Sequence, residues 1–273
     1  RTLFTGRCLL GLACLSGILL MWPMFFAGPL VLDEHGSYWI VDSDLPGSSW
    51  TRSLDYAAIP PLSGWMQGLF LTVFGKSELV FRLPSAVCYL AAVIIVYRVG
   101  ADLQDRVLGG LAALVLAWHP EALDEIRIAR CYGLMLLMSS MVVWTTWRWT
   151  CADRPVKWGL LWTLSAAGLL WTHYTSALLV MITAAWIGYG SLRAANVRSG
   201  FSWWLLNMVA LTILCLPLIR PVLRLREWGP SLNYMSGDQP IWNFIGPYWW
   251  LGIPAGWLFC VLCRSASAKA RQN

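Results

Sequence analysis

The stretch CLLGLACLSGILLMWPMFFAGPLVL, residues 8–32, carries no charge and is followed at once by Asp33-Glu34-His35. At about 1.5 Å rise per residue, a helix of that length reaches across a hydrocarbon core of roughly 30 Å. Its leading flank is basic, with Arg1 and Arg7, and its trailing flank is acidic. Cationic flanks favour the cytoplasm, so the expectation is Arg1 inside and Asp33 outside. Such a triplet is commonly no more than a solvated helix end. At the outer mouth of a membrane helix, however, a carboxylate pair is also well placed for chemistry on a lipid-borne substrate.

The rest of the chain has the same character. Over 273 residues it is 58% hydrophobic and only 12% charged, with a mean hydropathy of +0.58. Soluble domains carry about 25% charged residues, so a single soluble core is excluded. The first apolar run lacks a small-residue cleavage site and outlasts a signal-peptide core, which makes it an anchor. Nineteen Trp suit an interfacial belt, with Trp203-Trp204 and Trp249-Trp250 near expected span ends. The net charge of +6 does not indicate nucleic acid, because the basic residues are scattered between apolar runs rather than gathered on one face. The eight Cys show no metal-ligand spacing. Cys260 and Cys263 form a CxxC with no His or second pair nearby, and read as inert core thiols.

Eight spans are expected, over 8–32, 83–100, 107–122, 132–149, 158–172, 174–192, 203–222 and 241–263. Residues 56–75 are apolar enough to tempt a ninth, and charge counting decides against it. With that stretch lying in the outer interface, the inner segments hold 12 of the 20 basic residues but only Asp102, Asp105 and Asp153 of the 14 acids. Making it a span would invert everything downstream and send most of these arginines outside. Pro60-Pro61 also suits the start of a surface helix better than the middle of a span. The fold expected is therefore an all-α integral membrane protein of about eight transmembrane helices. Residues 1–263 would form one polytopic domain, with residues 33–82 as its first outer loop, and residues 264–273 a cytoplasmic tail.

Four clusters then fall on the outer side. The first is Asp33, Glu34, His35 and Tyr38. Glu121, Asp124, Glu125, Arg127 and Arg130 lead into Tyr132 to form the second. His173-Tyr174 is wedged between two apolar runs, and Arg220, Arg224, Arg226 and Glu227 make the fourth. Each has an ordinary explanation as a helix cap, a topological charge or a snorkelling side chain. That all four share one side weighs against four separate accidents. Carboxylates, arginines and a histidine around one outer cavity suit transfer from a phosphorylated lipid carrier, with a carboxylate as base and arginine balancing a leaving phosphate.

The order Asp33-Glu34, Ile59-Pro60-Pro61-Leu62, Phe74-Gly75-Lys76-Ser77-Glu78, Phe81-Arg82-Leu83-Pro84-Ser85-Ala86, Ala129-Arg130-Cys131-Tyr132 and Thr172-His173-Tyr174 resembles the protein O-mannosyltransferase-like branch of the GT-C glycosyltransferases. The resemblance implies a membrane enzyme that uses a polyprenyl-phosphate-linked sugar on the extracytoplasmic face, with a plasma (inner) membrane as the default location. The acceptor would be a lipid, glycan or protein, with no nucleic acid partner. By that resemblance Asp33 is the catalytic carboxylate and Glu34 its neighbour in the acceptor site. Arg130, Tyr132, His173 and Tyr174 would line the donor pocket, with Arg127 or Arg224 supporting Arg130 against the leaving phosphate. A divalent metal (Mg2+ or Mn2+), if the reaction uses one, would fall to Asp33. The chain departs from the family at Ile128, where an acid is frequent and Asp124 or Glu125 would substitute, and at Ile59, where a His is frequent. Members are also usually longer. A rival reading is a transporter gating headgroups, disfavoured because the charges sit at span ends rather than at the midplane. A second rival is an inactive scaffold that keeps the fold.

Overall fold

The computed structural model describes residues 2–25, 28–56, 59–151, 155–192 and 197–224. The regular structure among them is entirely helical: α1 (Thr2–Phe25), α2 (Leu32–Val41), α3 (Ser49–Asp55), α4 (Leu62–Phe74), α5 (Glu78–Leu103), α6 (Arg106–Ala117), α7 (Pro120–Arg127), α8 (Tyr132–Cys151), α9 (Pro155–Leu170), α10 (Ala177–Leu192) and α11 (Val197–Cys215), with 3-10 turns at Tyr174–Ser176 and Leu216–Leu218. The chain divides into two compact units, Arg1–Val222 and Leu223–Asn273. The first contains nearly all the described residues. The expected span 241–263, the tail 264–273, Arg226, Glu227 and the CxxC lie outside the described residues.

Two of the expected spans are each broken into separate helices, while the other described ones shift at their ends, as with α5 at Glu78–Leu103 against 83–100 and α11 at Val197–Cys215 against 203–222. The first apolar run does not continue to Leu32 as one helix: α1 ends at Phe25, and a new helix starts at Leu32. Pro29 disfavours helix at the residue before it and cannot donate a backbone bond. Asp33 and Glu34 then occupy the first turn of α2, where the helix dipole favours negative charge. The third run, 107–122, is also cut. α6 stops at Ala117, and Pro120 opens α7 behind His119, whose Nδ1 accepts the Ala122 N–H at 3.3 Å.

Packing forms three apolar clusters among the described residues; the smallest gathers Leu71, Val80, Phe81 and Ala129, and the two larger are joined through α5 and α8. Met21 and Met24 of α1, Tyr89 and Val93 of α5, Ala113 and Ala117 of α6, and Ile126 of α7 make the first. Val142 of α8, Trp162 and Leu169 of α9, Ile187 of α10 and Leu211 of α11 anchor the second. Small residues bring the helices close. A Cβ on Gly133 would lie 2.5 Å from the Ser85 carbonyl oxygen, so α8 rests on the backbone of α5 there. α5 and α6 approach in the same way at Gly100 and Gly109.

Among the described residues, four helical stretches are long and apolar enough to cross a membrane: Phe4–Met24, Glu78–Leu103, Tyr174–Leu192 and Gly200–Arg224. Their outward faces are apolar, with Leu15 and Leu19, Met181 and Ile182, and Val209 and Ile213 all exposed. In water such a surface would be costly; in lipid it is matched. The protein is an all-α integral membrane protein. By contrast α4 has 13 residues, a length of about 20 Å, too short to cross a core of roughly 30 Å.

Candidate active site at the head of α2

The first turn of α2 sends its two carboxylates in different directions. Glu34 goes inward and is 1% exposed. Its Oε1 accepts from Arg82 Nε at 2.8 Å and from the Ala129 N–H at 2.7 Å. Its Oε2 accepts from Arg82 Nη2 at 2.7 Å and from the Val31 N–H at 2.9 Å. Burial pushes the Glu34 carboxyl up, but the bonds from Arg82, Ala129 and Val31 outweigh it and hold the group below the usual carboxylate range. Glu34 is thus a charged, fully engaged buried group. Arg82 also donates to the Gly28 carbonyl at 3.2 Å, so one ion pair fastens the chain before α2 to α5 and to the segment after α7.

That segment carries Arg130, and three helices hold its backbone. Besides the Glu34 bond, the Ala129 carbonyl accepts from buried Gln67 of α4 at 2.9 Å, and the Arg130 carbonyl accepts from Ser85 of α5 at 3.0 Å. Buried polar groups satisfied in this way fix geometry, because each broken bond leaves a desolvated partner. The result is to place the Arg130 guanidinium beside the second carboxylate: Nη1 lies 3.8 Å from Asp33 Oδ2 and 3.4 Å from the Asp33 carbonyl oxygen. The Asp33 side chain is 67% exposed. Of the two neighbouring carboxylates, only Asp33 is open to a substrate.

The turn between α9 and α10 adds His173. Its ring stacks on Tyr132 with centroids 6.5 Å apart, and its Nδ1 lies 2.8 Å from Thr175 Oγ1. Burial, and then the nearby charge of Arg130, push the His173 imidazole below its ordinary range, which keeps it neutral at neutral pH. Tyr174 follows it, half-buried at the start of a 3-10 turn. The turn is tied to the start of α4 by the Leu62 N–H donating to the Trp171 carbonyl at 3.1 Å. Asp33, the neighbours Arg130 and Tyr132, and His173 therefore come from three separate parts of the chain to one end of the bundle.

The remaining expected residues are placed elsewhere. Arg127 pairs with Asp124 at 3.0 Å and donates to the Leu20 carbonyl of α1 at 3.1 Å. Glu125 is exposed on α7, and Arg220 and Arg224 are exposed beyond α11. Among the described residues no group of three His, Cys, Asp or Glu side chains gathers to hold a metal ion. The described donors do not make a site for a divalent cation. Against the other face of α2 lies a cavity of about 560 Å³, bordered by His35, Trp39, Asp42, Asp55 and Tyr56. Arg82, Gln67 and Ser85 had no role assigned from sequence. Arg82 and Ser85 stand in the Phe81–Ala86 motif, and Arg82 is also a charge entering an apolar run, where ionisable groups are usually paired; Gln67 gives no signal.

Among curated proteins and solved structures nothing matches the chain. The family model for dolichyl-phosphate-mannose-protein mannosyltransferases matches residues 58–220, which takes in Gln67, Arg82, Arg130, Tyr132 and His173 but stops short of Asp33 and Glu34. As that match covers more than half of its length, the chain belongs to the dolichyl-phosphate-mannose-protein mannosyltransferase family, a family of membrane glycosyltransferases of GT-C type.

Proposed function

We propose that this glycosyltransferase moves a sugar from a polyprenyl-phosphate donor to an acceptor hydroxyl on the extracytoplasmic side, in one inverting displacement at the Asp33–Arg130 end of the bundle. The observation that carries the reading is the pairing of an exposed carboxylate with a held guanidinium 3.8 Å away, beside a histidine kept neutral. Asp33 takes the proton of the acceptor hydroxyl as its oxygen bonds to the anomeric carbon. The bond from that carbon to the lipid phosphate breaks, and the phosphate leaves with the electron pair. The planar fork of Arg130 suits the phosphate oxygens bidentately and balances the developing charge. Tyr132 and His173 form the uncharged wall of the donor pocket. Glu34, with both oxygens occupied, is a positioning residue that keeps Asp33 and Arg130 in register. The cavity beside α2 offers aromatic faces at Trp39 and Tyr56 and acceptor oxygens at Asp42 and Asp55, features that suit a hydroxyl-bearing substrate.

The test is a transfer assay that offers radiolabelled polyprenyl-phosphate sugars, one at a time, to membranes containing the protein. Transfer from at least one of them, with release of the lipid phosphate, is expected. Transfer only from a nucleotide sugar, or from none of the panel, overturns the donor assignment.

A further inference from the structure

At the far end of α5 from Arg82, a second polar cavity of about 430 Å³ opens between helices. Four helix termini meet there, and each brings an arginine: Arg7 near the start of α1, Arg98 near the end of α5, Arg106 at the first position of α6 and Arg148 in the last turn of α8. The carboxylate in its wall, Asp102, is already engaged. It accepts from Arg148 Nη2 at 2.8 Å and from Trp144 Nε1 at 2.7 Å. The adjacent Asp105 is turned to the Val107 and Leu108 N–H groups, each at 2.9 Å, as the cap of α6. Among the described residues, Arg7, Arg98 and Arg106 have no carboxylate within ion-pair distance. Three uncompensated positive charges therefore surround one cavity.

Leu10 and Ile94 border the same cavity, so its wall is apolar on the side toward the middle of the helices. Helices this long place their ends at headgroup depth. Charge at the rim with an apolar wall beneath it matches a phosphate carrying acyl chains better than a free phosphate, which would leave Leu10 and Ile94 unused. We propose that this cavity binds the headgroup of an anionic phospholipid, with Arg7, Arg98 and Arg106 around the phosphate and the acyl chains along α1 and α5. Arg98 lies 16 residues, about 24 Å, along α5 from Arg82 of the Glu34–Arg82 pair, so the site is separate from the transfer site and its test needs neither donor nor acceptor.

Purified protein is exchanged into mixed micelles containing phosphatidylglycerol or phosphatidylcholine, and lipid retained after delipidation is counted by native mass spectrometry. Retention of phosphatidylglycerol should exceed that of phosphatidylcholine by about tenfold or more, given the strength with which clustered basic residues hold anionic headgroups. Arg7→Gln/Arg98→Gln/Arg106→Gln should bring the two within about twofold, and Arg98→Gln alone should reduce the preference by several-fold, which keeps the test decisive if the triple variant does not fold. Glycerol 1-phosphate should be lost on desalting. Equal retention of the two lipids by the unaltered protein, or an unchanged preference in folded Arg98→Gln, overturns the proposal. Stable retention of glycerol 1-phosphate would instead mark a free-phosphate site and overturn the lipid assignment.

Discussion

Helix α5 carries an arginine–carboxylate pair near each end, and the two are built differently. At one end Arg82 and Glu34 are 3% and 1% exposed, and both carboxylate oxygens accept two bonds. At the other, Arg148 and Asp102 are 40% and 20% exposed and meet at 2.6 Å at a cavity rim. A buried pair that loses one partner strands a charge in low dielectric, whereas a half-exposed pair falls back on water. The first end is thus constructed for fixed geometry, and it is where Asp33 and Arg130 face each other. The second keeps one pair and leaves three arginines for an outside anion. The same residue types serve a scaffold in one place and recognition in the other, and burial separates the two.

The comparison breaks most readily at Glu34. Glu34→Gln should cost about 3–5 kcal/mol, because Arg82 would stay buried without its counter-charge. The check is the melting temperature in detergent. A melting temperature equal to that of the unaltered protein would show that the pair does not hold this end together. The next effect is expected at Arg130. Arg130→Ala should weaken donor binding by about 1.5–3 kcal/mol, the range for a hydrogen bond to a charged group, and Arg130→Lys by less, since it keeps charge but loses the fork. Its melting temperature should barely move, because its partner Asp33 is exposed. Donor affinity and melting measured on the same purified variants separate recognition from scaffold.

The weaker contrasts sharpen the picture. Asp102→Asn should cost at most about 1 kcal/mol, because its partner Arg148 is well exposed and solvent screens the pair. A loss as large as that of Glu34→Gln would erase the difference between the two ends. The smallest effect is in pH. Burial and Arg130 hold the His173 pKa below its unfolded value near 6.5, so the unfolded chain binds this proton more readily. Stability should therefore fall as pH drops below about 6.5, and His173→Gln should flatten that part of the profile in a melting series.

Much of the fold was legible because apolar runs of spanning length leave few alternatives. The ends of those runs were not. Residues 26–32 are as apolar as the helix before them, and only Pro29 marks the break; Ala117 to Pro120 is the same case, with the cap and N1 proline lying inside a run that hydropathy reads as continuous. At the site, Asp33, Arg130, Tyr132 and His173 were readable as ionisable or aromatic groups at span ends. That Glu34 and Asp33, one residue apart, point one into the protein and one out was not. It depends on Arg82, 48 residues on, and on the Ala129 amide, 95 residues on. Gln67 and Ser85 look like ordinary polar residues until the fold brings the Ala129–Arg130 backbone to them. Arg127 went the other way: its sequence neighbours suggested the site, and its side chain turned to α1.

The central claim is that Asp33 reacts while Glu34 holds, and turnover beside melting temperature on Asp33→Asn tests it most directly. The Asp33 carboxylate is exposed and its ion pair long, so its neutral isostere should melt with the unaltered protein. Sugar transfer should fall by about 10²-fold or more if this carboxylate is the base. Turnover within a few-fold of the unaltered protein, at the same melting temperature, would contradict the account.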